Sequence, residues 1–410
     1  MSRWQPIEQL QGGTMLDTRD RGAGINARPP QGSGLIASGA AHAAARRAAR
    51  KEANLAGSLE DYLHGTRFEP NDPAALGGVL RALVERGYDR APTVPLPGHG
   101  DTLARWRALA AVAACDLGLV KLFEGHTDAL AILAELQGPE PRAGSRWGVW
   151  AAEPPDARVE AVKVGFRSDD GDLYLTGTKA WCSGAGVVSH ALVTAWLDGE
   201  PVLAAVAMDQ PSIAIDTSKW QAVGMQATAS ADVTFDRTPA TLVGSAQAYV
   251  RRPGFWHGGA GIAACWYGAA AQIGRMLREA SAQRADSHRL AHLGAVEVAL
   301  AGAAAVLRET AAYIDAHPQA DSQREAMRAR LVVEEAASAV MNHATRTLGA
   351  GPLCRDARFA RALADLPVFL RQSHAERDLA ALGELSVAAG ADEAGAGRTD
   401  RSAGGAPWML

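Results

Sequence analysis

The chain predicts an α+β protein built as an N-terminal all-α domain, a middle antiparallel β-barrel and a C-terminal four-helix bundle. Three observations carry this. Apolar residues recur at helical spacing up to about residue 136, alternate with a period of two from Trp147 to about Val243, and return to helical spacing after Arg252-Pro253. The expected boundaries are 1–146 for the helical domain, 147–248 for the barrel and 249–386 for the bundle.

Residues 1–34 are rich in Gly, Pro and Arg, as in Arg28-Pro29-Pro30, and read as an irregular arm. Ala-rich amphipathic runs cover 35–55, 75–87 and 102–115, and a further run over 117–136 follows Asp116 as its N-cap. Ser58-Leu59-Glu60-Asp61 has the form of a capping box opening a short helix. Gly138-Pro139-Glu140-Pro141 ends the helical region. Beyond it, Val159–Val164, Leu173–Leu175, Ala191–Val193, Val202–Val206 and Ala231–Phe235 are strand candidates. Turn formers such as Asp169-Asp170-Gly171 and Asp198-Gly199 separate them. Roughly seven short strands fit a small antiparallel barrel or sandwich.

In the bundle, long helical runs cover 256–283, 291–316, 322–348 and 356–383. Pro318 and a capping box at Ser322-Gln323-Arg324-Glu325 separate the second from the third, and Gly349-Ala350-Gly351-Pro352 the third from the fourth. Short connections between long helices read as an up-down bundle, and the many Ala and Gly positions let its axes approach closely. After Ser386 the chain turns to Gly, Ala, Asp and Ser, so 387–410 is expected to be a disordered tail.

A chain of 410 residues, 48% hydrophobic and 21% charged, is long enough for several cores and ordinary for a globular protein. A net charge of −4 gives no sign of a nucleic-acid or anionic-membrane partner. Arg46-Arg47-Ala48-Ala49-Arg50-Lys51 reads as a solvated helix face. The start at Met1-Ser2-Arg3-Trp4 shows no signal peptide, and no run of about 18 apolar residues marks a membrane span. Cys115, Cys182, Cys265 and Cys354 lie far apart, which fits reduced thiols and a cytoplasmic localisation.

The most informative segment is Gly177-Thr178-Lys179-Ala180-Trp181-Cys182-Ser183-Gly184-Ala185-Gly186. On an extended strand Trp181 and Ser183, two apart, share a face. An indole there can cover a planar ring while a hydroxyl bonds its edge. Taken alone, such a pair is more often a packed core residue and a turn hydroxyl. Its place in the middle of a β region flanked by helices gives it weight.

That element order with that motif resembles the acyl-CoA dehydrogenase family over about residues 100–385. Lys179-Ala180-Trp181-Cys182-Ser183 looks like the family's lysine, tryptophan, then serine or threonine strand. The resemblance implies FAD, with Trp181 on the flavin ring and Ser183 near its N5. Trp150-Ala151-Ala152-Glu153-Pro154 looks like the strand whose backbone holds the flavin pyrimidine, with Ala152 replacing the usual threonine. Val223–Thr228 and Val233–Asp236 match the barrel end. Arg284 stands where the family has an arginine reaching FAD phosphates across a subunit interface. Arg346 and Gly349 stand near the adenosine position, with Arg346 replacing Gln and Ala350 replacing Gly. The resemblance therefore also implies a homodimer or homotetramer, and an acyl thioester substrate carried on CoA or a carrier protein. The sequence does not identify the electron acceptor.

The implied reaction is α,β-desaturation: a base removes the α proton as a β hydride passes to flavin N5. The family's base is a carboxylate, and at its position this chain has Gln372, with Ser373 at the following glycine. A neutral amide cannot accept the proton. His374, His257 and Glu376 are the conceivable replacements, and His374 is the best because histidine titrates near neutrality. Two other classes stay open. Flavin monooxygenases of the same fold would be matched by Ser183, His374 with Asp378, and His126, although a core histidine is the bland alternative for His126. The other class is a catalytically inactive flavin-binding protein. No metal is expected: His288 and His292, four apart, read as a solvated helix face. Gly259-Ala260-Gly261-Ile262-Ala263-Ala264 matches a dinucleotide GxGxxA, but without a preceding strand it reads as a packed helix.

Overall fold

The structure, a computed structural model, describes residues 58–155, 157–164 and 171–395. The predicted arm 1–34, the helical run 35–55 and the chain after residue 395 lie outside the described residues.

Among the described residues, four helices precede the strands: α1 (Leu59–Gly65), α2 (Pro73–Glu85), α3 (Thr102–Cys115) and α4 (Leu117–Glu135). Local chemistry sets their starts. The Ser58 hydroxyl accepts from the Asp61 amide while the Asp61 carboxylate accepts from the Ser58 amide, the predicted capping box. Asp72 caps α2 ahead of Pro73. Asp116 is extended, which stops α3, and its carboxylate accepts from the Leu119 amide at 2.9 Å, which starts α4.

Seven strands follow among the described residues: β1 (Trp147–Trp150), β2 (Val159–Lys163), β3 (Asp172–Cys182), β4 (His190–Leu197), β5 (Glu200–Ala207), β6 (Ile213–Asp216) and β7 (Ala231–Val243). The order β4-β2-β3-β7-β5 closes on itself because β5 also pairs with β4, giving a five-stranded barrel with β1 and β6 added at its flanks. The predicted all-antiparallel barrel is corrected here: β2 runs parallel to β4, and so does β1. A closed ring with an odd number of strands cannot alternate direction throughout, so one parallel pair is obligatory. Val159, Leu173, Leu175, Cys182, Val193 and Phe235 pack together as its core.

The last helices are α5 (Ala248–Arg251), α6 (Gly254–Gln283), α7 (Ser287–Ala316), α8 (Gln323–Leu348), α9 (Ala350–Arg355), α10 (Ala357–Leu370) and α11 (Glu376–Gly395). The predicted run 356–383 is two helices broken over 371–375, where Ala375 takes φ 49°. The tail predicted from 387 is helical as far as Gly395, because its alanines and glutamates favour helix more than its glycines oppose it. The Ser322 hydroxyl does not cap α8. The Asp321 carboxylate takes the Gln323 amide instead, at 2.9 Å.

Among the described residues α7 is long and apolar enough, by length and composition only, to cross a membrane, being rich in alanine. It packs on α6 and α8, and most of its surface is uncovered in the single chain. α6 lies directly on α3. A Cβ at Gly268 would come within 2.2 Å of the Ala110 carbonyl oxygen, so only glycine permits that approach.

Candidate active site

The end of β3 is irregular where the motif predicted a regular strand. Its pairing with β7 shifts register between Lys179 and Cys182. Trp181 adopts φ 57°, rare for a bulky side chain, and its indole stays 45% exposed. Ser183 lies in the turn past the strand, so strand alternation is not what relates it to Trp181. A bond from the Ser183 amide to the Trp181 carbonyl, 3.0 Å, keeps the two adjacent.

The hydroxyls behind Ser183 form a chain with a single direction. Thr228 spends its only hydroxyl proton on the Met225 carbonyl, 2.8 Å. It must therefore accept from Ser230 at 3.0 Å, and Ser230 must accept from Ser183 at 2.8 Å. Ser183 Oγ is left as an acceptor.

Lys179 anchors the same region from beneath. It is fully buried, and its ammonium donates to Glu153 Oε1 at 2.7 Å, to the Thr194 hydroxyl at 2.7 Å and to the Thr194 carbonyl at 2.9 Å. Burial lowers the Lys179 pKa, and the Glu153 carboxylate opposes that shift. Glu153 Oε2 accepts from the Trp196 indole at 2.9 Å. These bonds fix the 151–154 segment, with Ala152, against the barrel. Trp150 is buried, and its indole N–H reaches the Ser183 carbonyl at 3.3 Å, so its ring supports the turn from inside.

α4 and α10 carry the opposite wall. Gly184 packs on Leu122 of α4, and the Lys121 ammonium lies 5.7 Å from the centre of the Phe369 ring on α10. The Met225 amide donates to Asp365 of α10 at 2.5 Å. Burial pushes Asp365 up to about 6, against the lowering effect of that bond. The C-terminal end of α10 is thereby held beside the barrel, and the break that follows carries Gln372, Ser373 and His374.

Two anchors shape that break. Arg330 of α8 donates to the Gln372 carbonyl at 2.7 Å and to the Gly259 carbonyl of α6 at 2.8 Å, with its guanidinium 4.9 Å from the Trp266 ring centre. The Gln372 side-chain oxygen is buried without a hydrogen-bond partner among the described residues. Asp378 of α11 accepts from the His374 amide at 3.0 Å and pairs with His374 Nδ1 at 3.2 Å. Burial raises the Asp378 pKa, but the bonds from His374 outweigh it and hold the carboxyl below its ordinary value. The Asp378 carboxylate therefore holds the imidazole of His374 through Nδ1.

Other predicted residues lie elsewhere. His257 is buried on α6 against Gly98, and desolvation lowers its pKa. His126 is a core residue. Its Nδ1 accepts from the Trp147 amide at 3.2 Å, so Nε2 donates to Asp89 at 3.1 Å. His292 pairs with His343 of α8 at 2.8 Å rather than with His288. Arg284 caps the C-terminal end of α6, while Arg346 and Gly349 end α8. From Gly259 to Arg284 is about 37 Å along the helix, so Arg284 lies far along α6 from the Arg330 bond at Gly259. Arg330, Asp365 and Ser230 were not found from sequence, because each acts through a partner far away in the chain.

No protein-family model matches the sequence, and no curated protein matches it. Solved structures do match. FMN-bound TdsC from Paenibacillus sp. A11-2, a dibenzothiophene monooxygenase, aligns with TM-score 0.62 at 19% identity, covering 76% of this chain and 95% of that one. The methanesulfinate monooxygenase MsuC from Pseudomonas fluorescens aligns with TM-score 0.59 at 19% identity, covering 78% and 96%. The steroid ACAD Tcur3481-Tcur3483 aligns with TM-score 0.63 at 19% identity, covering 84% and 99%. A helical N-terminal region, a closed five-stranded barrel and a long-helix C-terminal region give this chain the fold of the acyl-CoA dehydrogenase-like flavoproteins.

Proposed function

We propose that the protein is a flavin-dependent monooxygenase of this fold, acting on a small organic substrate. The observation that carries the reading is the His374–Asp378 pair on the loop where the family's carboxylate base is replaced by Gln372. The local residues fit a flavin: Trp181 offers an exposed indole face, and Ser183 offers an acceptor to an N–H at the ring edge. A flavin ring carries that N–H at N5 when reduced, the state that reacts with oxygen. When bound and reduced, the flavin supplies two electrons to O2; one oxygen atom enters the substrate and the other leaves as water. His374 Nε2 delivers a proton to the departing oxygen, and Asp378 keeps the ring oriented and compensates the charge. Lys179 and Glu153 hold the barrel turn rigid, and Arg330 holds the loop.

The cofactor form in this reading is FAD. Arg284, Arg346 and Gly349 share one end of the bundle, the end away from the Arg330 bond at Gly259, which supports their serving a neighbouring copy in a homodimer or homotetramer. The uncovered α7 supports association as well. A second reading is desaturation of an acyl thioester with His374 as base. It is supported by the Arg330 bond to the Gln372 carbonyl, which holds the loop carrying His374 in place.

The test loads the purified protein with flavin, reduces it, and supplies isotopically labelled oxygen with a panel of small thioether, indole and acyl-thioester substrates. Label in a product supports the monooxygenase. Anaerobic bleaching by a saturated acyl-CoA supports the desaturase. A protein that stays colourless with excess FAD or FMN would remove both.

A further inference from the structure

A cavity of about 840 Å³ opens at the N-terminal end of α10, the end away from the Gln372 loop, between α1, α3, α6 and α10. Five arginines line it: Arg67, Arg107, Arg275, Arg358 and Arg361. Against them stands one lining carboxylate, Glu60, which makes no ion pair among the described residues. Arg361 is the exception among the five, paired with Asp116 at 3.1 Å. Arg358 donates to the Ala114 carbonyl at 3.1 Å, and Arg67 to the carbonyls of His64 at 2.7 Å and Thr66 at 2.9 Å. Carbonyls orient a guanidinium without neutralising it. Arg107 and Arg275, one turned in from α3 and one from α6, have no hydrogen bond or ion pair among the described residues.

Four uncompensated guanidinium groups around one cavity repel each other, and an anion relieves that repulsion. The floor beneath them is apolar, formed by Phe68, Ala111, Ala114 and Tyr267. Guanidinium forks match phosphate oxygens in pairs, and an aromatic floor suits a flat organic body. The volume is that of a site for a small organic ligand.

We propose that this cavity binds a phosphate-bearing organic anion of about nucleotide size, with its phosphates on Arg107, Arg275 and Arg358 and its body over Phe68 and Tyr267. It is separate from the candidate active site. α10 is 14 residues long, about 21 Å, with Arg358 and Arg361 near its start and Gln372 beyond its end.

The test is titration calorimetry on the full chain saturated with flavin, using ADP, pyrophosphate and adenosine. ADP is expected to bind tightest, pyrophosphate less tightly and adenosine not at all, with ADP affinity falling as salt rises. Arg107→Glu with Arg275→Glu is expected to weaken ADP about a hundredfold, each lost charged contact accounting for about tenfold. Both positions are exposed, so melting temperature and flavin spectrum are expected to hold; Arg107→Gln with Arg275→Gln serves if the charge reversal fails to fold. ADP binding that is absent, or undiminished in the variants, overturns the site. Pyrophosphate binding as tightly as ADP overturns the organic body and leaves a free-phosphate site.

Discussion

The barrel end and the loop between α10 and α11 are built in opposite ways. The barrel end is fixed by buried, fully satisfied polar bonds: all three Lys179 ammonium protons are used, and the hydroxyls from Ser183 to Met225 run in one direction. The loop leaves the Gln372 side-chain oxygen buried and unbonded among the described residues, and puts a histidine on a carboxylate two residues further on. Under the proposed function the first region holds the flavin and the second handles the proton. The two regions are expected to respond to substitution differently.

The largest expected effect is on the loop. His374→Ala is expected to lower turnover about 10²–10⁴-fold, with flavin content unchanged. Asp378→Asn is expected to do the same by a smaller factor, since the imidazole remains. Flavin loss in either variant would erase the division between the two regions. Next, Lys179→Met is expected to cost about 3–5 kcal/mol of stability, because it strands Glu153 and the Thr194 carbonyl without their donor. It is expected to release flavin in parallel, as measured by denaturant unfolding and by absorbance after gel filtration.

Asp365 joins the two regions through the Met225 amide, and its effect depends on pH. Its folded pKa of about 6 lies above the ordinary 3.8, so folding favours the protonated form. That contribution is full below 3.8 and is lost as pH rises through about 6. Asp365→Asn keeps an acceptor for the amide without the charge. Its stability advantage over the parent protein is expected to be near zero at low pH and about 1–3 kcal/mol above neutrality, read from urea unfolding across pH. A pH-independent difference would place the strain elsewhere. The smallest expected effect is Ser183→Ala, which removes the acceptor at the ring edge and is expected to shift the flavin spectrum while weakening binding about tenfold or less.

Local chemistry was legible in the sequence, and chemistry depending on distant partners was not. The capping box at Ser58 and the Asp116 cap lie within four residues, and α4 was found to within one residue. The His374–Asp378 pair is also local, one helical turn apart, and spacing alone exposed it. The parallel β2–β4 pairing joins strands some 36 positions apart, and closure rather than periodicity dictates it. The break at 371–375 looked helical because its residues are good helix formers; the Arg330 bond across 42 positions and the Asp378 carboxylate hold it open. For His126 the sequence left a core role and a chemical one open; the bond to the Trp147 amide, which ties α4 to β1, depends on a partner 21 positions away.

The most direct measurement is the absorbance of flavin-loaded protein mixed anaerobically with saturated acyl-CoAs, comparing the parent chain with Gln372→Glu and His374→Ala. The account predicts no bleaching in the parent, and in a separate aerobic assay it predicts that the reduced protein consumes oxygen and transfers it to substrate in a His374-dependent way. Rapid bleaching of the parent by acyl-CoA, undiminished in His374→Ala, would contradict it.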